Sequence, residues 1–451
     1  MDYIIYFAIT IGILVFIHEF GHFAAAKLSG MRADIFAIGF GKRLFGWNRK
    51  SGFSFGELPK DFDGEGHTDY RLSLLPLGGY VKIAGMVDET MDTSFADKEP
   101  QPYEFRAKPL WAKVFVITAG VFMNLMLAWV IFWGANFFQE KTIINTTTIG
   151  VVPQNSLADS IGFQSHDKII SVNNKKVSDW KELEAELYIN SLGENRKVVV
   201  ERNNQKVELS IPNKKIPEQA ERYLIEPNGM SQPYFDSLLA DAPASKAGLL
   251  KGDILIALNE VPIYSRLQAT EIIKSNKNKT INTLVVRNTD SLIISVTPNE
   301  AGVIGVYFGS KYDGPTVSKS YGFFESIGQG WKDIEKMTAL TFSMIGKVFT
   351  GNVEFKKAFG GPIKIAQMAA KSADSGMTNF LYFLALLSLS LAILNILPFP
   401  VLDGGHLVMI VIESIIKREI PIKIKMAIQN TGLVLLLILM AFIIYNDIMS
   451  L

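Results

Sequence analysis

Four stretches of the chain stay apolar long enough to cross a hydrocarbon core about 30 Å thick: Tyr3 to Leu28, Val114 to Phe138, Thr378 to Leu402 and Ala427 to Asn446. The last three contain no Asp, Glu, Lys or Arg. The first breaks its own pattern, because "FIHEFGHFAA", Phe16 to Ala25, sets His18, Glu19 and His22 among hydrophobic neighbours. The region from about residue 140 to 376 is polar on average. The pattern predicts a polytopic α-helical membrane protein with four transmembrane helices and a large soluble insertion.

Inside that insertion the pattern repeats at an offset of 86 residues. "NSLADSIGFQSHDKIISVNN" (Asn155 to Asn174) aligns with "DAPASKAGLLKGDILIALNE" (Asp241 to Glu260), so that Gly162 falls on Gly248, Asp167 on Asp253 and Asn173 on Asn259. Each copy reads as a short helix, a glycine turn and an apolar strand. This unit resembles the PDZ domain of bacterial envelope proteases, and the resemblance implies two inserted PDZ-like α+β domains over 143–225 and 226–308 that bind extended peptides or protein termini at a sheet edge. His166 stands where the second copy has Gly252, which predicts an altered turn.

Residues 315–376 alternate apolar and charged positions at helical spacing, with Gly360, Gly361 and Pro362 as breakers, and read as amphipathic juxtamembrane helices. Residues 29–113 contain β-like runs punctuated by Gly39, Gly41, Gly78 and Gly79, which predict hairpins tucked against the spans.

Composition changes this picture in three ways. A net charge of +1, with no basic stripe, predicts no nucleic-acid partner. The absence of cysteine removes disulfides, thiolate catalysis and thiolate metal sites. Only Met1 and Asp2 precede the first apolar run, so that run is expected to be retained as an anchor in the lipid bilayer.

Lys27, Arg32, Lys42 and Arg43 follow the first span, Arg106, Lys108 and Lys113 precede the second, and Lys417, Arg418, Lys423 and Lys425 fill the link before the fourth. The bias of basic residues toward the cytoplasm predicts that these three groups lie inside, with both termini and the polar insertion outside.

His18, Glu19 and His22 form H-E-x-x-H, whose i, i+4 histidines share one helix face and can share a metal ion while the glutamate acts on water. Polar groups at this depth cost on the order of 2.5 to 3.5 kcal/mol each, which argues against filler. A catalytic zinc takes a third protein ligand. The candidate is Asp403 in "NILPFPVLDGGH", where Pro398 and Pro400 break the helix and Gly404 and Gly405 permit sharp turns, with His406 as a competitor. The plainer alternative is that Asp403 caps the following helix. His67 and His166 read as solvated. About fifteen residues past Tyr3, His18 lies about 22 Å along its helix, in the cytoplasmic half.

H-E-x-x-H in the first span, N-x-x-P-x-P-x-L-D-G-G late in the chain and paired PDZ-like modules between the second and third spans together resemble the bacterial site-2 proteases, a family of intramembrane zinc metalloproteases, over essentially the whole chain. The resemblance implies one Zn2+ held by His18, His22 and Asp403, with Glu19 as catalytic base. It implies that Asn395 binds the substrate backbone and that a membrane-reentrant β segment, including Gly78, Gly79 and Tyr80, presents an edge to the substrate. The implied substrate is a single-span membrane protein of the anti-sigma-factor type, already shortened on the periplasmic side, or a remnant signal peptide. The implied location is the bacterial inner membrane. Asn124, four residues after Gly120, also matches the family. A rival expectation is a membrane metal-ion carrier using the same cluster; another is a scaffold, which leaves the polar first span unexplained.

Overall fold

A computed structural model describes residues 2–449 apart from 60, 61, 63, 88–94, 96–98, 155, 214–223 and 355–359. Parts of the expected cytoplasmic loop, of the expected first PDZ-like domain and of the expected amphipathic stretch therefore lie outside the described residues. The chain divides into two compact units, Met1–Gln139 with Ser320–Leu451, and Glu140–Lys319.

Among its described residues the first unit contains four helices long and apolar enough to cross a membrane: Tyr3–Leu28, Leu110–Phe138, Met377–Ile396 and Ile422–Met449. The first closes at Gly30, whose φ of +66° suits a left-handed cap, with the Met31 N–H bonded to the Ala26 carbonyl at 2.8 Å. The third stops earlier than the apolar run. Helix gives way at Leu397, before Pro398, and resumes in a separate helix, Asp403–Ile416. A Cβ on Gly404 would run into the carbonyls of Ile396 and Leu397, and one on Gly405 into that of Phe399, so only glycine lets the new helix fold back over the break. Val401 sits there at φ +81°, a strained position for a β-branched residue.

Among the described residues of 29–113 lies a three-stranded sheet with two long bent strands, where the sequence pattern suggested short hairpins. β1 (Ala33–Asn48) lies between β2 (Gly52–Phe55) and β3 (Asp69–Ile83). Along its first half β1 is paired on both edges: Ile35 faces Lys82 and Asp69, Ala37 faces Tyr80 and Arg71, and Ile38 faces Gly79 and Leu72. Arg43, counted above among the inside-facing charges, is instead buried in this sheet. Its guanidinium takes both Asp69 carboxylate oxygens at 3.2 Å, the Ser54 and Gly56 carbonyls at 3.0 and 2.7 Å and Ser54 Oγ at 3.1 Å.

The described residues of this unit also include two amphipathic helices. Phe323–Phe349 lies on the second span, where Gly330 abuts the Trp133 backbone and Asn136 Nδ2 donates to Asp333 at 2.7 Å. Pro362–Asp374 is held at its start by Asp447 of the fourth span, which accepts from the backbone N–H groups of Gly361, Ile363 and Lys364.

The second unit carries the repeat. β4 (Lys141–Ile144) pairs with β15 (Thr316–Lys319), bringing the two ends of the unit together. The first copy uses β5 (Lys168–Val172), β6 (Lys175–Lys176), β7 (Arg196–Arg202) and β8 (Gln205–Ile211) in the order β6-β5-β7-β8. The second uses β9 (Tyr234–Leu238), β10 (Ile254–Leu258), β11 (Val261–Pro262), β12 (Ile281–Arg287), β13 (Asp290–Val296) and β14 (Val306–Gly309), with β14 at one edge. Each copy buries its own apolar cluster, around Phe163, Ile169 and Val200 in one and Phe235, Leu255 and Val285 in the other.

The aligned aspartates do the same work in both copies. Asp167 takes Arg202 at 2.8 and 2.7 Å while Arg202 also reaches the Gly162 carbonyl; Asp253 takes Arg287 at 2.7 Å on both oxygens while Arg287 reaches that of Gly248. Burial pushes the Asp253 carboxyl up, but Arg287 and the Leu250 N–H outweigh it and hold it below its ordinary value. The turn expected to change at His166 keeps its left-handed form, with His166 at φ +67° and Gly252 at φ +91°. The histidine accepts the strain that the glycine avoids.

Candidate active site

The H-E-x-x-H stretch lies in the continuous first helix, and its i, i+4 spacing brings the His18 and His22 rings to 4.8 Å between centroids. The second span makes room for them at Gly120, where a Cβ would collide with both imidazoles. That span also orients His22, whose Nδ1 lies 2.8 Å from the Val116 carbonyl. A carbonyl can only accept, so the ring proton sits on Nδ1 and a neutral His22 presents a bare Nε2.

Asp403 reaches the same spot from the other end of the chain. It is the first residue of its helix, and the helix cap, Leu402, makes no side-chain bond, so the carboxylate is not consumed as a cap. Its Oδ2 lies 3.3 Å from His18 Nε2 and its Oδ1 3.5 Å from His22 Nε2, while the two Nε2 atoms are 3.3 Å apart. The capping alternative is thereby corrected: the break and the two glycines aim Asp403 at the histidines.

These separations test whether the residues fit a zinc ion. Ligand atoms about 2.0 to 2.2 Å from a tetrahedral ion stand about 3.3 to 3.6 Å from each other; the two Nε2 atoms show that separation, the carboxylate meets each of them at it with a different oxygen, and one ligand atom from each of the three residues lies within 4.8 Å of the others. Asp403 Oδ2 is buried and makes no hydrogen bond, an acceptor left for a cation. Among the described residues, His18, His22 and Asp403 are the group of side chains able to hold a metal.

The other expected residues fall into two sets. Glu19, buried on the same helix, lies against Gly79 of β3, where a Cβ would come 3.1 Å from Glu19 Cγ and 2.6 Å from the Ala37 carbonyl. Asn395, one turn before the break, places Nδ2 3.3 Å from His18 Nε2. Asn124 places Nδ2 3.2 Å from His18 Nδ1. Gly78 and Tyr80, by contrast, make their contacts within the sheet. A Cβ on Gly78 would enter the Phe40 ring, and Tyr80 stacks on that ring at 6.0 Å and accepts from Arg71 at 2.8 Å. His406 turns away to Gln429, at 3.2 Å, and so does not compete for the cluster. His67 and His166 are exposed.

Sequence reasoning missed the Val116 carbonyl and Gln429. A backbone acceptor leaves no trace in residue identity, whereas a glutamine in an uncharged span was a visible signal.

The profile of peptidase family M50 matches residues 6–439, taking in both ends of this site. This chain belongs to peptidase family M50. It is 29% identical over 462 residues to the regulator of sigma-E protease of Salmonella typhimurium, covering 98% of this chain and 97% of that one. It is 30% identical over 468 residues to a Yersinia pestis protein named as a protease, with the same coverage. It is also 30% identical over 465 residues to a Vibrio cholerae protein provisionally named a zinc metalloprotease, again covering 98% and 97%. The M50 chain described here is a zinc metalloendopeptidase of the site-2 type, and its four apolar helices make it a polytopic membrane protein.

Proposed function

We propose that this M50 chain binds one zinc ion through His18, His22 and Asp403 and cuts single-span membrane proteins within the bilayer, near its cytoplasmic face. The observation that supports this most directly is the mutual spacing of the two Nε2 atoms and the Asp403 carboxylate, 3.3 to 3.5 Å, assembled from residues almost four hundred positions apart. Zinc held there would polarise the scissile carbonyl and lower the pKa of water toward about 7.

Glu19 then accepts the proton of the attacking water and returns it to the departing amine. Asn395 donates from its carboxamide to the substrate backbone. A substrate helix hides its carbonyls in its own hydrogen bonds, so it must unwind, and pairing with the edge of β3 near Gly79 offsets part of that cost. Gly78 and Tyr80 shape this edge through Phe40 and Arg71, a role in substrate binding that is indirect.

The topology follows from the basic residues flanking the spans, now without Arg43: both termini and the repeat unit lie in the periplasm, the chain sits in the inner membrane, and the metal lies in the cytoplasmic half. The two repeat copies, 143–225 and 226–308, are PDZ-like modules. They screen substrates by size or hold a newly exposed terminus, and β14, at a sheet edge, is suited to such pairing. The name of the Salmonella relative favours an anti-sigma factor, trimmed outside, as substrate.

The test is to incubate the purified protein with a tagged single-span substrate, with and without a zinc chelator, and map products by mass spectrometry. A cut inside the span that the chelator abolishes is expected; an intact substrate, or cleavage indifferent to chelation, contradicts the reading. In the same assay, removing residues 143–308 should admit substrates with full ectodomains, and continued resistance would eliminate the filter.

A further inference from the structure

We propose that Asn124 is a positioning residue for His18, its carboxamide oxygen accepting the Nδ1 proton so that Nε2 faces the metal bare. This rests on the reading that His18, His22 and Asp403 hold zinc. An imidazole nitrogen that carries hydrogen cannot ligate, and the two neutral tautomers of free imidazole differ little, so the partner at Nδ1 decides which nitrogen is available. For His22 that partner is the Val116 carbonyl, 2.8 Å away. For His18 it is Asn124, whose carboxamide is 3.2 Å from Nδ1 and 0% exposed, so no bulk water competes for the bond.

The carboxamide is also able to present either end. With Nδ2 toward the ring, Asn124 Oδ1 is buried with no hydrogen-bond partner, so nothing on that side holds the amide in this orientation. With Nδ2 donating, Nδ1 must accept and the ring proton moves to Nε2, which already faces a second donor, Asn395 Nδ2, at 3.3 Å. Half a turn about Cβ–Cγ exchanges the two ends, and the oxygen then receives Nδ1–H and leaves Nε2 as a ligand.

The backbone beneath this switch is fixed. Ser388 Oγ of the third span donates to the Asn124 carbonyl at 2.7 Å, buried, so the side chain turns on an anchored base. Val116, Gly120 and Asn124 thus form a ladder of three rungs, four positions apart, on one face of the second span: a carbonyl for His22, a gap for both rings, and an amide for His18.

The experiment compares zinc affinity of the full-length protein in detergent, by competition with a chelating dye, among wild type, Asn124→Leu and Asn124→Asp. Leucine keeps the branching but is bulkier, so Asn124→Ala runs beside it; neither offers an acceptor, and affinity should fall about 10- to 100-fold in both, the usual cost of losing such a support. Aspartate offers only acceptors and should bind within about threefold of wild type. Leucine or alanine binding as tightly as wild type, or aspartate losing as much as alanine, overturns the proposal. Should the leucine variant fail to fold, proton spectra of the Co2+-loaded wild type decide: two hyperfine-shifted, slowly exchanging ring N–H signals are expected, and one alone contradicts it. Wild type taking up no zinc, or His18→Ala taking it up unchanged, overturns instead the ligand set on which the proposal rests.

Discussion

Glu19 and its two neighbouring histidines divide the labour by direction. His18 and His22 point along one stripe of the helix toward Asp403, while Glu19, one residue on, packs against Gly79, where a substrate strand would pass. Glu19→Gln keeps the shape and removes the base, so cleavage should fall by about 10²- to 10⁴-fold while zinc content stays at the wild-type level, checked by a product assay alongside elemental analysis. Appreciable residual turnover would take Glu19 out of that role. At this scale the sequence was most legible where chemistry demands rare residues in rare places. Two histidines a turn apart in an apolar run announce themselves, and so does an aspartate between a double-proline break and two glycines. Asn124 was visible only as a match to the family, without a role, and the carbonyl of Val116 was hidden, because their value lies in orientation, which residue type does not encode.

At the scale of elements, the second span acts as the mould for the site, and Gly120 is its tightest point. Gly120→Ala would drive a methyl group into both imidazoles. Overpacking of this kind costs typically about 1 to 3 kcal/mol, so a lowered unfolding temperature is expected together with a several-fold drop in zinc affinity; a variant that melts lower but binds zinc unchanged would show that the gap serves packing alone. Helical spans were readable from hydropathy, since bilayer thickness sets their length. Their ends were less so. The third helix ends at Ile396, where the expected break at Pro398 and Pro400 begins and short of the apolar run's end at Leu402, because proline geometry overrides apolarity. The sheet of β1 to β3 was underestimated for a related reason. Glycines inside it, such as Gly39 at φ +88°, bend continuous strands where they were read as ends, and a buried Arg43 that looks like a surface charge in the sequence fastens the bend.

For the whole molecule, the membrane-spanning unit and the repeat unit answer to different solvents, and pH separates them. Asp253 has a folded-state value below its ordinary 3.8, so the Arg287 pair stabilises the second unit above about pH 4, and that contribution is lost as pH falls through the lowered value. Asp253→Asn lacks it at every pH. The variant should therefore melt a few degrees lower at pH 7, with the gap closing toward pH 3, as followed by circular dichroism; a gap independent of pH would mean that the pair's charge contributes nothing. The internal repeat was legible because Gly162, Asp167 and Asn173 recur at one offset, and the structure shows the shared ion pair behind the aspartates. The persistence of the turn at His166 was not, since a left-handed histidine costs little enough to pass unnoticed.

Everything proposed about catalysis depends on one cation being gripped by the first helix and by the carboxylate after the break. Elemental analysis of the purified full-length protein, beside His22→Ala and Asp403→Ala, measures this directly. About one zinc per chain in the wild type and a large loss in both variants is the expected result. A wild type without zinc, or variants that keep it in full, would contradict the account.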